Sequence, residues 1–209
     1  MKTLVAIPCF DEMDAGFVQS LVDMKPVGDI RILVLSGSLI FEARERLASF
    51  AVENGYDHVL WLDSDIMFPS TLLMDLYAQD KDIICGVVAA RRSPFYPCVY
   101  VNNGEALDPV KEFDGHVIPI DSCGFGAVLM KTEIIQKMFD EFKTCFQPIL
   151  GYGEDLSFCL RAKKLGYQIY ADPNIPIGHI GKTVITKDTY RRENVSTSKT
   201  GIEDNNNGF

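Results

Sequence analysis

The sequence predicts an α/β fold: a mostly parallel central sheet flanked by helices, with a small antiparallel β portion. Two observations carry this. Over residues 1–62, β-prone apolar runs alternate with helix-patterned segments as β-α-β-α-β, the signature of an open sheet with helices on its faces. Between Arg91 and Pro119 the pattern changes. The stretches F-Y-P-C-V-Y-V-N-N-G-E and F-D-G-H-V-I-P-I are short β-prone runs broken by turn residues, which predicts hairpin-like antiparallel pieces.

Taken in order, residues 4–9 read as a buried strand, stopped by Pro8 and the acids after it. Residues 15–24 read as a helix and residues 30–35 as a second β-rich run, with S-G-S at 36–38 as a turn. Ile40, Ala43, Leu47, Phe50 and Ala51 then recur along one helix face. Residues 59–62 form a third strand. Pro69 opens a short helix to about Tyr77, and residues 83–88 are another apolar strand. Residues 124–130 read as one more strand, 132–139 as a helix and 151–153 as a glycine loop. A helix over 154–165 places Leu156, Cys159 and Leu160 inward and Ser157, Arg161 and Lys164 outward, with Gly166 as its stop. Residues 168–171 and 175–179 are short strands. From Lys182 the chain turns polar and ends in E-D-N-N-N-G-F. One domain over 1–181 is therefore expected, followed by a mobile tail over 182–209 that would order partly as a lid.

Composition narrows the function. The chain has 209 residues, 47% hydrophobic and 23% charged, ordinary for a globular protein able to bury a sheet on both faces. A net charge of −9 argues against general nucleic-acid binding, which needs a cationic surface. Cys9, Cys85, Cys98, Cys123, Cys145 and Cys159 form no C-x-x-C pair, so they read as reduced, packed thiols of a cytoplasmic protein rather than a zinc knuckle. The N-terminus lacks a signal-peptide pattern, and no apolar run reaches the ~18 residues of a membrane span.

The informative stretch is V-L-W-L-D-S-D-I-M-F-P-S, residues 59–70, where an apolar strand ends in Asp63 and Asp65. Side chains two apart on a strand share a face, so both carboxylates are expected at one site at the sheet's carboxyl edge, where ligands of open α/β sheets bind. Two close carboxylates resist ionisation unless a cation joins them, and Mg²⁺ or Mn²⁺ suits such oxygen donors. The bland alternative is a solvated turn in which Ser64 and Asp65 cap the next segment. Downstream, Glu154 and Asp155 follow a glycine loop at a helix start, where carboxylates also suit the macrodipole. A carboxylate there can take a proton from an incoming hydroxyl. His179, between Gly178 and Gly181 in I-G-H-I-G, is a candidate metal ligand.

These features in this order resemble the GT-A glycosyltransferases, especially the family 2-like enzymes. The resemblance spans about residues 1–181. It rests on A-I-P-C-F-D-E, S-G-S-L-I-F-E-A-R-E-R, L-W-L-D-S-D-I-M-F-P, G-F-G-A-V-L-M, G-E-D-L-S-F-C-L-R-A and G-H-I-G. It implies a GT-A, Rossmann-like sheet and transfer of a sugar from a nucleoside-diphosphate donor, a UDP-sugar first and a GDP-sugar next, to an acceptor hydroxyl. Residues 8–12, with Pro8, Phe10 and Glu12, would flank the nucleobase and ribose; Asp11 stands where the family often has Asn. Arg44 would reach the base or diphosphate, and Ser64 would lie against the nucleotide. Asp63 would hold ribose or a metal-bound water, Asp65 would bind the Mn²⁺ or Mg²⁺ ion, and His179 would add a ligand. Asp155, with Glu154 beside it, would be the general base of an inverting enzyme, although relatives with similar pieces retain configuration. Gly124, Phe125 and Gly126 would line the sugar or acceptor pocket, and Arg91 and Arg92 would neutralise the leaving phosphate.

Two other readings stand beside this one. Haloacid-dehalogenase-like phosphatases also place D-x-D after an apolar strand, but on their first strand, whereas here it follows the third. A catalytically inactive nucleotide-sugar-binding module would keep the fold without turnover. Sugar nucleotidyltransferases share the broad fold, but the glycine-rich, arginine-containing loop after their first strand is absent here.

Overall fold

The computed structural model describes residues 1–181. The tail expected over 182–209, and the lid assigned to it, lie outside the described residues. The first half of the chain runs β1 (Lys2–Cys9), α1 (Ala15–Asp23), β2 (Asp29–Ser36), α2 (Ile40–Glu53), β3 (His58–Leu62), β4 (Ile66–Met67), α3 (Leu72–Ala78) and β5 (Ile83–Gly86). The second half continues with β6 (Val99–Asn102), β7 (Leu107–Pro109), β8 (Ile118–Ile120), β9 (Ser122–Cys123) and β10 (Ala127–Lys131). It closes with α4 (Thr132–Phe142), α5 (Glu154–Lys164), β11 (Ile169–Asp172) and β12 (Gly178–His179).

Seven strands form the central sheet in the order β2-β1-β3-β10-β5-β11-β8. Five of them share one direction. β1 is parallel to β2 and β3, β5 is parallel to β11, and β10 is antiparallel to both β3 and β5. A parallel neighbour needs a crossover connection, and helices supply those between β1, β2, β3 and β5. β10 has none. It enters from the carboxyl edge after a small antiparallel sheet, β7-β6-β9, and so runs back down between β3 and β5.

Both faces of the central strands are covered, as the unbroken burial of β1 and β3 requires. Leu4, Ala6, Val59 and Trp61 point to the side packed by α2, α4 and α5, with Leu47, Ile134, Met138 and Phe158. Val5, Ile7, Leu60 and Leu62 point to the other side, against Phe17 of α1 and Leu72, Leu73 and Leu76 of α3. The first side is built around Trp61, Phe125, Phe146 and Phe158, whose rings meet at centroid distances of 4.8–6.1 Å. All six cysteines are unpaired and five are buried, as packed thiols should be. No helix among the described residues is long and apolar enough to cross a membrane.

Several expectations change. The strand expected over 124–130 begins only at Ala127, as β10, and the short strand β9 lies just before it, on the other side of Gly124 and Gly126. The strand expected over 175–179 shrinks to β12, which pairs with β4 so that His179 faces Ile66. The largest change is the orientation of α5. Ser157 and Arg161, expected outward, are buried, whereas Leu156 and Leu160 are only partly buried. The helix docks through Phe158 onto the aromatic cluster, and that rotates the two polar residues inward. Both find partners there. Ser157 Oγ accepts the Ile149 N–H at 2.9 Å, and the Arg161 guanidinium donates to the carbonyls of Cys145 at 2.9 Å and Gln147 at 2.7 Å. These contacts fold the 145–149 segment along the buried face of α5. Only Lys164 stays exposed as expected.

Arg161→Ala should strand those carbonyls and destabilise the protein by about 2–3 kcal/mol. Lys164→Ala on the solvent side should stay within about 0.5 kcal/mol. Urea denaturation of the two variants checks the difference, and equal costs would place Arg161 back on the surface.

Candidate functional site

β1 sits between β2 and β3, so the chain leaves its carboxyl end toward one side and later returns on the other. A crevice opens at such a reversal. Here it is a cleft of about 790 Å³. One wall is residues 10–14 after β1, and Ser64 and Asp65 after β3 form its base. Arg91 and Arg92 after β5 face Ile180 and Gly181 after β12.

Asp65 lines the cleft. The pairing of β4 with β12 puts His179 beside it, and the Ile180 N–H donates to the Asp65 carbonyl at 2.8 Å. His179 Nε2 lies 3.3 Å from Asp65 Oδ1, and Arg91 Nη1 lies 2.5 Å from Asp65 Oδ2. On the far side of the imidazole, Nδ1 is 2.7 Å from the Ala89 carbonyl. A carbonyl only accepts, so Nδ1 carries hydrogen and Nε2 is the atom presented to Asp65. The His179 pKa is raised, mainly by the hydrogen bond to Asp65 and despite burial. Burial works against the Asp65 carboxylate, but His179 and Arg91 together outweigh it and hold its pKa below the ordinary value.

Asp63 does not share these partners. β3 ends at Leu62, so Asp63 to Asp65 lie in a turn where the period of two no longer holds, and the carboxylates diverge to different cations. Asp63 Oδ1 accepts from Arg44 Nη2 at 2.8 Å, and Arg44 Nη1 donates to Glu154 Oε1 at 2.7 Å. Arg44 is 3% exposed and its guanidinium lies 5.2 Å from the Phe125 ring. The arginine expected at the base or diphosphate is therefore a buried tie between the end of β3 and the start of α5. The buried face of α2 is Ala43, Arg44, Leu47, Ala48 and Ala51, one position round from the expected stripe, and Ile40 is 40% exposed.

Asp155 lies next along α5. Its Oδ1 accepts the Leu156 N–H at 2.7 Å. Burial raises its pKa, Arg44 opposes that, and Glu154 and Asp63 add to it. A Cβ added to Gly124 would meet Cys98 Cβ at 3.3 Å and Asp155 Oδ2 at 3.8 Å, so this glycine leaves room in front of the carboxylate. Gly126 is tighter still, with Val88 Cγ2 at 2.9 Å from an added Cβ. Phe125 between them points into the core and is 2% exposed. Pro8 is buried at the end of β1, whereas Phe10 is 68% exposed at the cleft. Glu12 and Ser64 are tied by the Ser64 hydroxyl, 3.5 Å from the Glu12 carbonyl.

The structure thus brings Asp65, His179, Arg91, Phe10, Glu12 and Ser64 together at the cleft. Asp63, Arg44, Glu154 and Asp155 form a second group beside it. Three contributors were missed: the Ala89 carbonyl, Cys98 and Tyr100. A backbone carbonyl leaves no sequence signal. Burial, with Cys98 and Asp155 nearby, pushes the Tyr100 hydroxyl up to about 12. The burial of Arg44 did have a signal, since it lies three, four and seven residues before Leu47, Ala48 and Ala51.

No three-residue His, Cys, Asp or Glu metal cluster exists among the described residues. The donors present fit a divalent ion as a half-site. Asp65 offers oxygen and His179 offers nitrogen with its other ring N–H fixed by a carbonyl, as metal-binding histidines are commonly held. Mg²⁺ and Mn²⁺ ions take one or two protein ligands and fill the rest with phosphate and water.

No family model matches the chain, and no curated protein matches it in sequence. Solved structures do share its fold. The crystal structure of A197 from STIV is similar with a TM-score of 0.64 and 22% identity, covering 87% of this chain and 87% of that one. The crystal structure of GalNAc-T7 with UDP, GalNAc and Mn²⁺ is similar with a TM-score of 0.60 and 10% identity, covering 88% of this chain and 43% of that one. The chain therefore spans less than half of GalNAc-T7. Its fold is the GT-A, Rossmann-like α/β architecture.

Removing Arg44 leaves Asp63 and Glu154 without their shared cation, and breaking a buried pair in this way costs about 3–5 kcal/mol. Asp63 and Asp155 already have raised pKa values, and Arg44 opposes both shifts. In Arg44→Met the carboxyls should therefore take up protons more readily. The stability deficit should be largest at about pH 8 and shrink as pH falls through those raised values. Urea denaturation across that range checks the sign; a deficit that grows on acidification contradicts it.

Proposed function

We propose that this protein is a metal-dependent glycosyltransferase that moves a sugar from a nucleoside-diphosphate donor, a UDP-sugar first, to an acceptor hydroxyl with inversion. One observation carries the reading: the Asp65–His179 pair, its imidazole oriented by the Ala89 carbonyl, at the base of the cleft where the strand order reverses. The GT-A fold supports it, and the similar GalNAc-T7 structure holds UDP, GalNAc and Mn²⁺.

In this reading Asp65 and His179 hold the Mn²⁺ or Mg²⁺ ion. That ion would stabilise the negative charge growing on the departing diphosphate. Phe10, Glu12 and Ser64 border the space for base and ribose, and Asp63, next to Ser64 in the chain, would take a ribose hydroxyl. Arg91 and Arg92 line the same cleft and complement the diphosphate. Asp155 is the base. Its Oδ1 is occupied by the Leu156 N–H, and its Oδ2 faces the room left by Gly124. An acceptor hydroxyl there gives its proton to Oδ2 as its oxygen bonds to the anomeric carbon and the bond to the diphosphate breaks. Glu154 is committed to Arg44 and positions the start of α5 rather than taking the proton.

Two outcomes test the reading. A thermal-shift series with UDP- and GDP-sugars should show a donor-specific stabilisation that needs Mn²⁺ and disappears in Asp65→Asn. A metal-dependent shift that survives intact in that variant removes Asp65 from the metal site. Asp155→Asn should keep donor binding while transfer falls by about 10²–10⁴-fold, the usual worth of a general base. Because burial raises the Asp155 pKa, and the base works ionised, the wild-type rate should fall on acidification at a pH above the ordinary carboxylate range. Unchanged transfer in Asp155→Asn would assign the base elsewhere, and phosphomonoester cleavage without transfer would favour the phosphatase chemistry.

A further inference from the structure

Both oxygens of Asp65 are already engaged. His179 Nε2 lies against Oδ1 and the Arg91 guanidinium against Oδ2. Arg91 stands where a cation bound to Asp65 would have to approach, and its side chain is 54% exposed. It is carried on a hairpin-like segment. Cys98 N–H donates to the Val88 carbonyl at 2.8 Å, Ala90 N–H donates to the Tyr96 carbonyl at 2.9 Å, and Ala89 bridges Pro97. The same segment presents the Ala89 carbonyl to His179 Nδ1. Its other flank rests against the residues just after β12: a Cβ on Gly181 would lie 3.8 Å from the Arg91 carbonyl oxygen. One short segment therefore orients the histidine and neutralises the aspartate.

Resting on the proposed metal and diphosphate site, we infer that Arg91 is a displaceable counter-ion that fills the cation position at Asp65 until a divalent ion and a nucleoside diphosphate arrive together. The physical reason is charge balance. A divalent ion alone must evict Arg91 from a short ion pair and leave a guanidinium uncompensated beside a dication. When a diphosphate enters the same cleft, the evicted guanidinium finds phosphate oxygens instead, in the bidentate geometry it favours. Metal and nucleotide thus bind cooperatively, and Arg91 carries the coupling between them. The exposure of its side chain leaves the exchange unobstructed. The Ala89 carbonyl can stay on His179 Nδ1 throughout, because the exchange needs only the Arg91 side chain to turn.

The test is the Mn²⁺ affinity of the protein, by electron paramagnetic resonance of free Mn²⁺, with and without saturating UDP, in wild type and Arg91→Ala. Wild type should bind Mn²⁺ weakly alone and much more tightly with UDP. Arg91→Ala should bind Mn²⁺ alone several-fold more tightly, and the coupling between Mn²⁺ and UDP should shrink by about tenfold, within the usual range of such couplings. If Arg91 merely repelled the ion through space, its removal would raise both Mn²⁺ affinities equally and leave the coupling unchanged. That result overturns the inference while leaving the metal site standing. Absence of Mn²⁺ binding in both proteins, with and without UDP, overturns the inference and the proposed function together.

Discussion

The Arg44 fork ties the site to the fold. A single guanidinium, 3% exposed, joins Asp63 at the end of β3 to Glu154 at the start of α5, across the aromatic cluster of Trp61, Phe125, Phe146 and Phe158. A buried charge is tolerated only when paired and hydrogen-bonded, so all three side chains are constrained at once. Asp155 follows Glu154 directly, and its position beside Gly124 is inherited from that tie. The buried face of α5 reinforces it. Arg161 and Ser157 hold the 145–149 segment against the same helix, so the loop before Glu154 is anchored on both sides.

A second constraint acts on the other side of the D-x-D turn. The short β4–β12 pairing brings a residue from near the end of the described chain to a residue from its first third. It delivers His179 to Asp65, and the Ala89 carbonyl then decides which imidazole nitrogen faces the aspartate. Asp63 and Asp65 are therefore not a symmetrical pair. One belongs to a buried electrostatic joint and the other to an open cleft, although each still feels the other's charge. In the proposed transfer reaction the joint would hold the base in place, while the cleft side would exchange counter-ions as charged ligands come and go.

The antiparallel strand β10 links the two halves. It runs between β3 and β5, and its lead-in supplies the Gly126 carbonyl that accepts the Asp63 N–H at 3.0 Å. Gly124 before it keeps a side chain out of the space in front of Asp155. Phe125, between Gly124 and Gly126, turns into the core and supports the Arg44 guanidinium rather than lining the pocket.

The sequence by itself determined the α/β class, the order of the main helices and the loops that carry the candidate site residues. Apolar runs, helical periodicity and glycine or proline stops are local signals, and they placed Asp65, Glu154, Asp155 and His179 at element ends where ligands meet α/β sheets. Tertiary structure decided which of these groups meet. The face α5 buries follows from docking Phe158 into an aromatic cluster drawn from four separate segments, which helix periodicity alone could not weigh. Arg44 is buried because two distant carboxylates converge on it. His179 faces Asp65 with Nε2 because a carbonyl ninety residues away in sequence takes Nδ1. Such pairings depend on contacts between remote parts of the chain, so they arise only once the sheet has brought those parts together.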